Sequence, residues 1–431
     1  MSGRREFIGA LPGLAALPWL PAGSQGEVRG AWVGAVTPRD ATLKVLASGP
    51  GLSISLTLAD DASPPVRRTQ TTDADGVAAF ELAGLRERTR FRYAVSAPGG
   101  PALEGRFRTF GEGPFSFRVL FASCAATGST SPVFAAMREQ QADLFVHMGD
   151  LHYEDIGRNA VSRFREAYLA VHASATQSAL FRSVPLAYTW DDHDFGPNDS
   201  DRTSPSRGAA LEAYRRFVPH YPLADGPDAP VHQAFTVGRV RFLMTDVRSA
   251  RSPRNVPDAE RTMLGQRQVA WLEEQLEAAR EAPLVVWVNT VPWITKRNES
   301  TREGWAPYAR ERRRIADHIV RMGLTRRLVM LTGDAHMLAL DDGTHSQYST
   351  LPEAPARGFV VAHAAPMDRR PTKKGGPYTH PEVAQNGQYG VMDVHDDGAR
   401  VSVRLQGMRG NLEVPGMRLE LAWPTDPWRR A

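Results

Sequence analysis

The stretch Phe145-Val-His-Met-Gly-Asp-Leu-His-Tyr153 decides how the rest of the chain reads. An apolar run of strand length stops on Gly149-Asp150, and a tyrosine follows three residues later. Four other short runs end in the same way. They are FASCAAT at Phe121–Thr127, YTWDDHDFGPND at Tyr188–Asp199, VVWVNTVPW at Val285–Trp293 and LTGDAH at Leu331–His336. The runs are β-branched or aromatic, as buried strands require. They stop on Cys124, on Asp150 and Tyr153, on Asp191, Asp192 and His193, on Asn289, and on Asp334 and His336. Polar residues at the strand ends of an α/β sheet converge on one edge, where open sheets bind ligands. One such residue carries little weight, but the series reads as a metal site.

Outward from these strands, composition sets the bounds. A chain of 431 residues is long for one core, so two domains are expected. The formal charge of +4 is small for this length and argues against a nucleic-acid partner. Basic residues are mostly Arg, the better bidentate ligand for phosphate. Cys124 is the only cysteine, so no intramolecular disulfide can form. The first residues, Met1–Phe7, read MSGRREF. An Arg4-Arg5 pair precedes an apolar stretch to Leu20 that Gly and Pro interrupt, then the small residues Pro21-Ala22-Gly23-Ser24. The stretch is too short for a membrane span and reads as a twin-arginine export signal over residues 1–27. It implies the twin-arginine machinery as a partner and a periplasmic or extracellular location. No other run is expected to span a membrane.

Residues 28–110 alternate short apolar runs with Gly, Pro and Asp turns, among them AWVGAV, ATLKVLA, LSISLTLA and RFRYAVSA. Six or seven strands at such spacing suggest a fibronectin- or immunoglobulin-like β-sandwich. Gly111-Glu112-Gly113-Pro114 reads as the hinge to a second domain over 115–425. There strands alternate with helices. Ser131 caps a helix over Pro132–Gln141, and others run over Ser162–His172, Gly265–Arg280 and Tyr308–Arg321. Val269, Leu272 and Leu276 give the third an apolar face. Pro352–Thr379 reads as a long surface loop, and Gly390–Val394, Ala399–Gln406 and Met417–Trp423 as closing antiparallel strands.

The residue types at the strand ends suggest the chemistry. Asp150 is a candidate bridging carboxylate between two cations, held ~3.5–4 Å apart, which clamps attacking and leaving oxygens at phosphorus. Cys124 as thiolate and Tyr153 as phenolate favour a highly charged ion such as ferric iron. Asp192, Asn289 and Asp334 are hard oxygen donors that suit calcium, manganese or magnesium at a second position. His193 titrates near neutrality beside Asp192 and is the candidate general acid. Arg158, Arg248 and Arg251 are candidate phosphate clamps.

These motifs resemble the alkaline phosphatase D, or PhoD-like, family of calcineurin-like metallophosphatases. The resemblance runs through Ala122-Ser123-Cys124, Gly149-Asp150 with Tyr153, Trp190-Asp191-Asp192-His193-Asp194, Asp246-Val247-Arg248-Ser249 and Thr332-Gly333-Asp334-Ala335-His336. The Trp-Asp-Asp-His motif and the early Cys are its specific parts. It implies a four-layer α/β/β/α sandwich behind the fibronectin-like domain. It implies Fe3+ on Cys124, Asp150, Tyr153 and His336, and Ca2+ near Asp150, Asp192, Asn289 and Asp334, with Mn2+, Mg2+ or Zn2+ as substitutes at the second position. The implied activity is hydrolysis of phosphate esters by a metal-bound hydroxide, with His193 protonating the leaving group. A phosphodiesterase for lipid or cell-wall phosphodiesters, and a non-catalytic metal-stabilised binding module, are the alternatives. The end of this chain reads as strands where the family often has a closing helix.

Overall fold

The computed structural model describes residues 26–224, 226–295 and 303–424. The expected export signal lies outside them, except for its last two positions. Two sheets face each other, and helices cover both outer sides. The first has nine strands, in the order Leu412–Pro424, Arg400–Arg409, Gln388–Asp396, Phe117–Ala122, Leu144–Met148, Leu186–Thr189, Val28–Gly34, Ala41–Ala47, Val77–Leu82. The second has six: Gln233–Val237, Val240–Met244, Leu284–Val288, Leu328–Thr332, Val360–Ala364, Leu338–Asp341. The strands that lead into the site motifs are parallel neighbours within each sheet. Their carboxyl ends therefore share an edge.

The alternation of side chains makes the layers. Val119, Phe121, Val146 and Met148 of the first sheet share one core with Phe242, Met244, Val286, Val288, Val329 and Leu331 of the second. The opposite faces meet helices. Leu120, Phe145 and Tyr188 pack under Val133–Glu139, Val161–Ala173, Ala175–Ser183 and Arg207–Phe217. Leu243, Val285, Trp287 and Met330 pack under Gly265–Ala278 and Ala309–Arg321. Each fully buried Val, Leu or Phe contributes about 1.5–3 kcal/mol. The fold is thus the expected α/β/β/α sandwich.

Seven strands fall between Val28 and Arg108. Four of them, Val66–Thr71, Ser53–Ala59, Arg90–Ser96 and Leu103–Arg108, form a third sheet. The remaining three extend the nine-stranded sheet, where Gly34 pairs with Leu186. The two N-terminal sheets share a core through Leu43, Val45, Leu56, Phe80, Phe91 and Val95. Val66–Thr71 was not expected as a strand, since all six residues are exposed and carry no apolar alternation.

Two local readings need correction. Ser131 lies one position before the helix cap, which is Pro132; its Oγ accepts from Val133 N–H at 3.4 Å. Asp192–Phe195 forms a single helical turn. Pro352–Thr379 is not a surface loop throughout. Val360–Ala364 is a buried strand inside the second sheet, hidden in the sequence by flanking Gly and Pro. The closing antiparallel strands are present as Gln388–Asp396, Arg400–Arg409 and Leu412–Pro424.

Candidate metal centre

Close approach of strand ends dictates the Gly-Asp motifs, within the first sheet at Gly149 and between the two sheets at Gly333. Gly149 has φ +86°, and a Cβ there would sit 2.4 Å from the Asp191 Cβ. At Gly333 a Cβ would lie 2.5 Å from the Ser123 Oγ. Any side chain at either position would push the strand ends apart. The residues beyond them are bent into the left-handed region. Of nine non-glycine residues with positive φ among the described residues, six are here: Cys124, Asp150, Asp155, Asp199, Asp334 and His336. Each costs about 1–3 kcal/mol, and such strain concentrates at functional sites.

Two groups share Asp150. In the first, Cys124, Asp150 and His336 offer ligand atoms within 4.8 Å of one another. Cys124 Sγ is 3.4 Å from Asp150 Oδ2. Tyr153 joins them, its hydroxyl 2.6 Å from Asp150 Oδ2 and 3.2 Å from His336 Nε2. In the second, Asp150, Asp192 and His193 meet the same criterion. A third group, Asp192, Asp199 and Glu303, continues from Asp192.

Electrostatics mark the centre as built for positive charge. Burial pushes the Cys124 thiol well above its usual range, and Asp150 and Asp334 push it further. Burial does the same to the Asp150 and Asp334 carboxyls. It also raises the Tyr153 phenol, again helped by Asp150. One oxygen each of Asp150, Asp191 and Asp334 is buried without a hydrogen-bond partner. Such orphaned acceptors cost free energy unless a cation or proton meets them. His336 is pushed down to about 4, by burial above all, which keeps it neutral and able to ligate. Its Nδ1 is fixed by the Arg370 carbonyl at 2.7 Å. Burial opposes a charge on His193, but Asp150, Asp192 and Asp155 outweigh it and raise the ring to about 9.

Several of these partners were not foreseen. Asp155 holds His193 Nδ1 at 2.7 Å, which leaves Nε2 as the nitrogen for chemistry. Asp194 accepts from the backbone N–H groups of Asp150, Leu151, His152 and Asp191 at 2.5, 2.7, 3.1 and 3.1 Å. It therefore clamps the Asp150 turn to the Asp191 turn. Lys374 lies 2.5 Å from Glu303 Oε2 and 2.9 Å from Asp334 Oδ1. Asp194 carries a signal, being an acidic residue inside the Tyr188–Asp199 motif, and Asp155 follows the Phe145–Tyr153 motif by two residues. Glu303 and Lys374 carry none, because they reach the centre from distant loops.

Other expectations change. Asn289 ends its strand as expected, but both ends of its amide are engaged. Nδ2 donates to the Val291 carbonyl at 2.5 Å, and Oδ1 accepts from Trp305 Nε1 at 3.1 Å. Asp199 and Glu303 bring two further carboxylates to Asp192. Arg248 is fully buried with Nε 2.5 Å from Asp191 Oδ1 and a second nitrogen 3.5 Å from Asp192 Oδ1. Arg251 is buried against Met263 Sδ, the Glu303 carbonyl and the Tyr308 ring. Both back the site from inside, which corrects their reading as clamps for an incoming phosphate. Arg158 is exposed before helix Val161–Ala173 and makes none of the contacts that tie the centre together.

A family model described as PhoD-like phosphatase matches residues 119–359, which contain every candidate ligand. The chain belongs to the PhoD-like phosphatase family. Alkaline phosphatase D of Bacillus subtilis (strain 168) is 26% identical over 247 residues, covering 46% of this chain and 42% of that protein. The chain thus matches less than half the length of that curated relative. A solved structure of PhoD superposes with a TM-score of 0.74 at 18% identity, covering 94% of this chain and 91% of the other. Purple acid phosphatase PPD1 from yellow lupin (Lupinus luteus) seeds gives 0.59 at 12% identity, covering 92% and 74%. These two likenesses establish the metallophosphatase fold for this PhoD-like chain. Among its described residues, no helix is long and apolar enough to cross a membrane.

Proposed function

We propose that this chain is a metal-dependent phosphoric ester hydrolase. The observation that carries the reading is one buried carboxylate, Asp150, common to the Cys124–Tyr153–His336 group and to the Asp192–His193 group. The donor set fits two unlike cations. Cys124, Asp150, Tyr153 and His336 would hold iron, and Asp150, Asp192 and Asp334 calcium or a similar hard ion. When bound, such ions supply Lewis-acid activation of water and of the phosphoryl group.

The chain's own residues supply the rest. His193 lies beside Asp150 and Asp192, with Asp155 fixing its tautomer through Nδ1. It gives a proton from Nε2 to the departing alkoxide. Asp194 fixes the Asp150 turn, and Arg248 compensates the buried charge of Asp191 and Asp192. In the same reading residues 28–110 are an accessory β-sandwich and 115–425 the catalytic unit. Arg4-Arg5 directs export by the twin-arginine route to the periplasm or exterior. Replacing both with Lys and following the protein by cell fractionation tests that part.

The test of function is turnover of p-nitrophenyl phosphate and bis(p-nitrophenyl) phosphate by the purified protein, with elemental analysis and a visible spectrum of the same sample. Turnover with bound iron and a broad charge-transfer band supports the reading. A colourless, active protein holding only zinc or manganese removes the Cys124–Tyr153 iron assignment. No turnover after reconstitution with iron and calcium sinks the hydrolase.

A further inference from the structure

With Arg248 and Arg251 buried in the scaffold, a different cation is placed to meet the substrate. The segment Asp368–Lys374 passes over the centre and is pinned on both sides of Arg369. The Asp368 N–H donates to the Cys124 carbonyl, and the Asp368 carbonyl accepts from Ala126 N–H, both at 3.1 Å. The Arg370 carbonyl holds His336 Nδ1. Thr372 N–H then donates to the His336 carbonyl at 3.2 Å. Between these anchors the Arg369 guanidinium lies 3.7 Å from the centre of the Tyr153 ring. The hydroxyl of that ring touches both Asp150 and His336.

Arg369 and Lys374 differ in one decisive respect. Lys374 is neutralised by Glu303 and Asp334. Among the described residues no carboxylate lies within ion-pair distance of Arg369, and its Nε is buried without a hydrogen-bond partner. A buried donor with no acceptor is costly, and the cost is relieved when a ligand supplies one. With its flat face on an aromatic ring, a guanidinium keeps its edge free. That edge matches two oxygens of a tetrahedral oxyanion.

We propose that Arg369 is the residue that binds the phosphoryl oxygens of the substrate, and that it favours terminal phosphate groups over bridging ones. This rests on the hydrolase reading above. The preference follows from counting oxygens. A monoester carries three terminal oxygens and a diester two. If the Arg369 fork takes two, only the monoester keeps one for the centre beside Tyr153. The monoester also brings the larger negative charge to an uncompensated cation.

The test uses the full-length, metal-loaded protein and its Arg369→Gln and Arg369→Lys variants. Inorganic phosphate binding is measured by calorimetry, and kcat/KM on p-nitrophenyl phosphate and bis(p-nitrophenyl) phosphate. Arg369→Gln weakens phosphate binding about tenfold or more, the loss of one charge-assisted bidentate contact. It lowers kcat/KM on the monoester more than on the diester and leaves metal content unchanged. Arg369→Lys, which keeps the charge without the fork, falls between. Phosphate affinity within about twofold of the parent protein, with metals intact, overturns the inference and leaves the hydrolase standing. Loss of bound metal in Arg369→Gln also overturns it, because Arg369 would then support Tyr153 rather than substrate. A parent protein that neither binds phosphate nor turns over either ester overturns both.

Discussion

Asp194→Asn isolates what holds the Asp150 turn in place. The change preserves shape and replaces one acceptor oxygen with an NH2 group. Oδ2 of Asp194 serves the N–H groups of Asp150 and Asp191, and Oδ1 those of Leu151 and His152. Whichever way the amide turns, two of the four donors lose their acceptor and face a donor instead. The site is buried, so each orphan costs about 1–3 kcal/mol. The total is therefore about 2–6 kcal/mol. Asp150 has φ +55° and follows a glycine that cannot accept a Cβ, so the turn has little other support. Two measurements follow: thermal unfolding, and metal content after dialysis against a weak chelator. The midpoint falls by about 2 °C or more, since an unfolding entropy of about 2.1 cal/mol/K per residue makes about 1 °C per kcal/mol at this length. Metal is lost at chelator concentrations the parent protein resists. If the Asp194→Asn variant keeps both its midpoint and its metal, the four-donor clamp is not what positions Asp150.

Three further outcomes are expected. His193→Ala lowers kcat by about 100-fold or more while metal content is kept. The parent enzyme loses activity as pH rises and His193 deprotonates, with a limb at or below about 9, and the variant lacks that limb. Lys374→Met leaves Glu303 and Asp334 facing each other without a cation. The ammonium is a quarter exposed, so the metal-free protein loses about 2–3 kcal/mol rather than the full cost of a broken buried pair. Added calcium restores more of the unfolding midpoint in that variant than in the parent, and equal shifts would remove the charge argument. Metal uptake by the stripped protein releases protons. The folded Asp150 and Asp334 carboxyls titrate above their unfolded values. Their contribution to the metal-free fold is thus fully present at acid pH, below the unfolded carboxyl values. It is lost as pH rises through the folded ones. Metal affinity accordingly rises with pH, and calorimetry in buffers of different ionisation heat detects the protons.

What the sequence disclosed follows from where the information lies along the chain. Asp150, Tyr153, Asp192 and His193 sit two to five residues beyond a strand, so an apolar run and the polar residues after it suffice to find them. The parallel neighbours Phe117–Ala122, Leu144–Met148 and Leu186–Thr189 then bring such ends together. Glu303 and Lys374 follow no such run. Their proximity is set by the packing of two loops around Asp334, which no local pattern encodes. Arg248 misled for a related reason: an arginine beside strand-end acids has the same local appearance whether it faces water or the core. Only the second sheet decides, and it places Arg248 beneath Asp191 and Asp192.

The same distinction explains why one edge carries so much charge without disrupting the fold. Asp191, Asp192, Asp194 and Asp334 are all at most 4% exposed. Unpaired, several buried carboxylates would cost more than a domain's net stability of about 5–15 kcal/mol. Arg248, Lys374 and the four N–H groups on Asp194 compensate part of that charge. The oxygens left without partners on Asp150, Asp191 and Asp334 lie at the candidate ligands or next to one. The scaffold thus balances the charge that shapes the turns and leaves uncompensated the charge available to cations. A variant that completes the balance with protein groups should be more stable without metal and unable to bind it. Asp150→Asn is the direct case. It removes the orphaned charge at the shared carboxylate, so the stripped variant unfolds at a higher temperature than the stripped parent. Added iron or calcium then shifts its midpoint little. A lower midpoint in the stripped Asp150→Asn variant would mean that Asp150 is a structural acid and not the bridge between the two groups.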